Sequence, residues 1–114
     1  MTIEKFEDIV AWQKARALST LIYGLFRDNK DFKFKDQIQS AAVSISSNIA
    51  EGFERKGDKE FGHFLYIAKG SSAEVRSLLY LAMDLKYISE ADFQKCVSLA
   101  SETSKILSGF IRSL

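Results

Sequence analysis

Proline is absent from the 114-residue chain, so no helix in it need be broken by a missing donor or a ring clash. Cysteine occurs once, at Cys96, which excludes an internal disulfide and fits a reducing compartment. Histidine also occurs once, at His63, within a single E-x-x-H, Glu60-Phe61-Gly62-His63. Di-iron bundles use two such motifs and two further Glu, so neither a metal site nor another cofactor is expected within one chain. The plainer reading of His63 is a hydrogen-bonded residue between helices. No alternating run of β-branched residues marks a strand. No apolar run approaches the roughly 18 residues of a membrane span, and the N-terminus lacks the build of a signal peptide. A cytoplasmic protein without membrane contact is expected.

Positive charge is not in excess. Lys and Arg number 16 against 15 Asp and Glu, a net charge of +1, which excludes a uniformly basic coat for nucleic acid but not local basic patches. No glycine-rich phosphate loop or Ser-His-Asp set is present. Cys96 lies beside Val97 on a core stripe, where a small buried hydrophobe is the plainer reading than a nucleophile. No enzymatic activity is expected.

What the chain does have is helical periodicity. Hydrophobic content of 46% with 27% charged residues is an ordinary globular balance. Apolar residues recur by fours and threes in four stretches. These are Ala11, Ala15, Leu18, Ile22, Leu25; then Ile38, Ala42, Ile45, Ile49, Phe53. The third is Phe61, Leu65, Ala68, Ser72, Val75, Leu79, Ala82, and the fourth is Phe93, Val97, Ala100, Ser104, Leu107, Ile111, Leu114. The expected helices span about 7–28, 35–56, 59–86 and 90–112, with residues 29–34 as a charged loop. Gly57 suits a left-handed helix end, Asp58 a cap for the third helix, and Ser89 to Asp92 a capping box. Four amphipathic helices with short connections give an all-α, antiparallel up-down-up-down four-helix bundle in one domain.

The second helix contains SISSNIAEGFER, residues 44–55, which is poor in helix propensity. Two rows interleave there. Beside the apolar row runs a small and polar one: Gln37, Ala41, Ser44, Asn48, Glu51, Arg55. The third helix carries Glu60, His63, Ile67, Gly70, Glu74, Ser77 in a matching row. A tight turn at Gly57 pairs Arg55 with Glu60, Glu51 with His63, Asn48 with Ile67 and Ser44 with Gly70. It also pairs Ala41 with Glu74 and Gln37 with Ser77. Small residues favour close packing, so this seam is expected against the third helix or a neighbouring subunit rather than as a plain solvated face.

Basic residues gather at both ends of the bundle: Arg27, Lys30, Lys33 and Lys35 at the first loop, Arg55, Lys56 and Lys59 at the second turn. Solvated loop charge is the plainer reading. Repeated around an oligomer, the same charges become candidate nucleic-acid contacts. Trp12, Tyr66 and Tyr80 fall outside the core stripes, with Phe64 at an edge, and such aromatics favour a subunit interface.

The segments DQIQSAAVSISSNIAEGFERK, FGHFLYIAKGSSAEVRSLL and DLKYIS resemble the bacterial four-helix-bundle family of 23S rRNA intervening-sequence proteins. The likeness covers nearly the whole chain, with the NIAEG element at residues 48–52 its most specific part. It implies a four-helix bundle assembled as a ring-shaped homopentamer, and no firm activity. The chain is also similar to the accessory variability protein of diversity-generating retroelements, which implies binding of RNA or DNA and of a reverse transcriptase or other nucleic-acid enzyme. The family's paired arginines after Gln-Ile are Gln39 and Ser40 here, and its proline before Ser47 is Ser46. Two positive charges that could contact phosphates are thereby absent. A structural or protein-interaction module without nucleic-acid affinity is the alternative, and a metal-dependent bundle enzyme the remote one.

Overall fold

A computed structural model describes residues 3–114. A short 3-10 turn (Phe6–Asp8) leads into four helices: α1 (Val10–Phe26), α2 (Phe32–Glu54), α3 (Asp58–Asp84) and α4 (Glu90–Ser113). Each helix packs on its neighbours in sequence, α4 closes back on α1, and no diagonal pair brings its backbones within 8 Å. The helices therefore form an antiparallel square, 43 Å long and about 20 Å across, with the α1–α4 side opposite the α2–α3 side. Among the described residues there is no strand.

The apolar rows meet along the axis of this square. Ala11, Ala15, Leu18, Ile22, Ile38, Ala42, Ile45 and Ile49 are fully buried from the first half of the chain. Leu65, Ala68, Ser72, Val75, Leu79, Ala82, Ala100 and Leu107 meet them from the second. Ser72 sits in this core without penalty because its hydroxyl donates to the Ala100 carbonyl at 2.9 Å.

Two helix starts differ from the sequence expectation by three residues and the second turn uses its residues differently, each for a local reason. The first helix starts at Val10, not near residue 7, because Ile9 is extended and drives its side chain into the core. The preceding 3-10 turn is held by Phe6 edge-on to Trp12 at 5.1 Å and by Gln13 Nε2 donating to the Glu7 carbonyl. Residues 29–34 are not all loop. Asp31 accepts the Phe34 N–H at 3.2 Å and so caps α2 three residues earlier than expected. Phe34 is then buried between Phe26 and Tyr87, at 5.7 and 5.3 Å. At the second turn Gly57 does take a positive φ, +87°, but as the residue that starts α3; Asp58 makes no capping bond. Ser89 caps α4 as expected, accepting the Asp92 N–H at 3.1 Å.

Helix α3 ends in a Schellman motif, with Tyr87 N–H on the Ala82 carbonyl and Lys86 N–H on the Met83 carbonyl. Lys86 pays for this turn with a left-handed φ of 61°, a conformation that glycine adopts without strain. Replacing Lys86 by Gly is expected to stabilise the chain by roughly 0.5–1 kcal/mol, read as a higher urea midpoint. The same loop delivers Tyr87, whose hydroxyl donates to the Asp31 carboxylate at 2.7 Å. That bond, with the Phe34 N–H, holds the Asp31 carboxyl below its usual range and pushes the Tyr87 phenol up. A lowered carboxyl contributes stability above its unfolded pKa and loses it as pH falls through the folded one; a raised phenol loses its contribution as pH rises through its folded one. The stability difference between wild type and Tyr87→Phe is therefore expected to be flat between about pH 5 and 9. It should shrink on both sides, as followed by thermal melts across pH.

Candidate functional surfaces

The NIAEG element places Gly52 at the closest approach of α2 and α3. A Cβ there would lie 2.5 Å from the Phe64 Cβ and 3.2 Å from the Phe61 ring. Glycine is therefore what lets α3 lie down on α2 just before the turn. One helical step on, Arg55 pairs with Glu51 at 2.7 Å and lies over the Phe64 ring at 5.1 Å. Its expected partner Glu60 adds only a longer-range attraction, and the Glu51 bond is the main reason the guanidinium is held more basic than usual. The Glu51–His63 pairing is not formed. Glu51 is taken by Arg55, and His63 is exposed with its ring 6.0 Å from that of Phe64, not a hydrogen-bonded residue between the helices. Glu60 is exposed too, and among the described residues no three metal-ligating side chains converge.

At the middle of the seam, Ser44 is the hub. Its hydroxyl accepts from Asn48 Nδ2 at 2.9 Å within α2 and from the Ser71 hydroxyl at 2.9 Å across to α3. Asn48 also donates to the Ser44 carbonyl at 2.7 Å, so its amide turns back along its own helix. Ser44 thus meets Ser71, one residue beyond the expected Gly70. Gly70 is exposed, and a Cβ on it would meet nothing within 4 Å. Ser44 does not pack on Gly70, and no packing within the chain requires a glycine there. Glu74 accepts from Gln37 at 3.4 Å, one turn from the expected Ala41, because both long side chains reach diagonally across the seam.

The basic clusters lie at opposite ends, as an up-down bundle demands. Arg27, Lys30 and Lys33 are exposed, while Lys35 is half-buried and donates to the Arg27 carbonyl at 2.7 Å. Lys35 therefore satisfies the C-terminal end of α1. Arg55, Lys56 and Lys59 are exposed at the other end. Acidic residues interleave with both groups: Asp28, Asp31 and Asp36 with the first, Glu51, Glu54, Asp58 and Glu60 with the second. Neither end is a continuous positive patch.

Cys96 is fully buried, and burial, with the nearby Asp92 carboxylate, pushes its thiol up to about 11. It is protonated at neutral pH and packs as a small hydrophobe. Trp12 and Phe64 are half-buried, the latter over Gly52. Tyr80 is largely exposed but edges onto Phe93 at 5.0 Å, while Tyr66 is 61% exposed.

The surface that sequence reasoning missed is the continuation of the α3 row. Beyond Ser77 the same step reaches Leu81 and then Asp84, with Leu85 next to it at the helix end. Ile67, Leu81 and Leu85 are 40, 44 and 45% exposed. Together with Gly70 they stand on an outer row of α3, a ridge that also carries the exposed Glu74 and Ser77, beside the serines of α2. The signal is present in the spacing, which continues past Ser77 to Leu81.

Comparison with known proteins agrees with this architecture. The family model described as 23S rRNA-intervening sequence protein matches residues 7–109. The crystal structure of a protein of unknown function from the S23 ribosomal protein family of Bacteroides thetaiotaomicron VPI-5482 superposes with a TM-score of 0.84 at 24% identity. The match covers 90% of this chain and 98% of that one. That likeness shows the fold. No curated protein matches the chain.

Proposed function

The chain belongs to the 23S rRNA-intervening sequence protein family, and from that premise we propose that it is a non-enzymatic scaffold that assembles with copies of itself through the outer face of α3. The observation that carries this reading is the exposure of Ile67, Leu81 and Leu85 on one row with the open Gly70. Large apolar side chains aligned along one water-facing helix row offer an interaction surface when a partner covers the row. A stable interface covers about 800 Å² per partner, and one face of the bundle, 43 by 22 Å, offers that area. The family resemblance gives five as the expected number of subunits. Sedimentation of Ile67→Lys with Leu81→Lys tests the surface. The double variant is expected to run as a folded monomer, and an unchanged oligomer would remove this face from the assembly.

A second reading is nucleic-acid binding by the assembled ring, alone or with a reverse transcriptase or similar enzyme. It is favoured by Lys30, Lys33, Lys56 and Lys59, which are exposed and form no ion pair among the described residues. Repeated on each subunit, such weak contacts add. Binding to RNA or DNA is then expected at low salt and should fall steeply as salt rises. No binding at low salt leaves the scaffold as a protein-interaction module.

A further inference from the structure

The sides of the bundle differ in kind. Opposite the α2–α3 side, α1 and α4 form the loosest of the four helix pairs. An open groove of about 750 Å³ runs between them. Its floor is apolar, from Ala17, Leu21 and Leu99, and it stays open because Ala17, Thr20 and Ser98 are too small to fill the space between the axes. Arg16 and Lys95 stand exposed on its lips. The groove carboxylate, Glu102, is already paired with Lys14 at 2.8 Å. The groove is thus apolar at the bottom and positive at the rim.

The α3 ridge has the complementary character. Its row runs His63, Ile67, Gly70, Glu74, Ser77, Leu81, with Asp84 and Leu85 completing the next turn. The charges on it are Glu74 and Asp84, both exposed, and no Lys or Arg lies on that row. The groove extends over Gln13 to Leu21 on α1, about 12 Å or two turns. The ridge segment from Glu74 to Leu81 is about 10 Å long.

We propose that the α1–α4 groove of one copy receives the α3 ridge of the next, Leu81 entering the apolar floor and Glu74 and Asp84 facing Arg16 and Lys95. This rests on the self-assembly reading and names the two surfaces that meet. Because they lie on different sides of the bundle, one two-fold dimer cannot satisfy both. The contact is heterologous: it closes as a ring where the rotation between successive copies allows, and runs on as a filament where it does not.

Charge reversal tests the pairing in both directions. Arg16→Glu with Lys95→Glu reverses the groove; Glu74→Lys with Asp84→Lys reverses the ridge. Each pair is expected to weaken association at least tenfold at low salt, with helical content unchanged by circular dichroism. The chain carrying all four changes should recover assembly. A wild-type oligomer indifferent to both reversals, or a fourfold variant that stays dissociated, overturns the pairing and leaves self-assembly standing. A wild-type monomer overturns both. Oxidation of a mixture of Ala17→Cys and Leu81→Cys chains gives a second readout, with Cys96 buried and inert. A disulfide-linked pair of one chain of each kind is expected, and its absence overturns the proposal.

Discussion

Replacing Gly52 by Ala is expected to destabilise the fold by about 3 kcal/mol, although alanine is the better helix former by nearly 1 kcal/mol. The added Cβ would stand 2.5 Å from the Phe64 Cβ. That atom is fixed to the α3 backbone and no rotamer change moves it away. The helices must separate, and with them the packing of Phe61, whose ring is 3.2 Å from the same point. For a domain of this size each kcal/mol is worth roughly 4 °C in melting temperature. A drop of about 12 °C is expected in a thermal melt. Gly70→Ala is the control, since its Cβ meets nothing: the melting temperature of the monomer should rise slightly. If Gly52→Ala were neutral, the close approach of α2 and α3 would not exist as described.

Phe61→Ala is expected to cost still more, about 3–5 kcal/mol. Phe61 is buried and joins three helices at the hairpin end. Its ring lies edge-on to Phe53 of α2 at 5.7 Å and to Phe110 of α4 at 5.2 Å. Truncation leaves a cavity that none of these neighbours can close without shifting a helix. Because Phe61 and Gly52 meet directly, their effects should not add. Removing the ring relieves part of the clash from a Cβ on residue 52, so the double variant should be more stable than the two single losses imply. Urea denaturation of the four proteins measures that coupling.

The core was legible because its signal is repeated: Ile38, Ala42, Ile45 and Ile49 each confirm the same face, and the structure buries all four. Single-residue devices were harder to read. Asp31 looked like one more charge in a charged loop, and only its geometry shows that it starts α2 and holds Tyr87. Lys86 carries no sequence sign of a left-handed turn, which is set by the Tyr87 ring finding Phe34. The seam was read in the right place but with the wrong partners. Helical spacing gives the row a residue sits on, whereas Asn48 and Arg55 chose bonds within their own helix. Gly52 and Gly70 show the same limit. Spacing puts Gly70 on the α3 row and Gly52 on neither row of α2, yet Gly52 is the crowded one and Gly70 is open. SISSNIAEGFER is helical despite its propensity because Ile45 and Ile49 are fully buried and Ser44, Asn48 and Ser71 satisfy one another.

Self-assembly is the claim on which the ridge, the groove and the rim charges all depend. Sedimentation equilibrium of the wild-type chain over a hundredfold range of concentration tests it most directly. One subunit has a mass of 12.9 kDa, so a ring of five is expected near 65 kDa at the upper concentrations. A single species at 12.9 kDa throughout would contradict it.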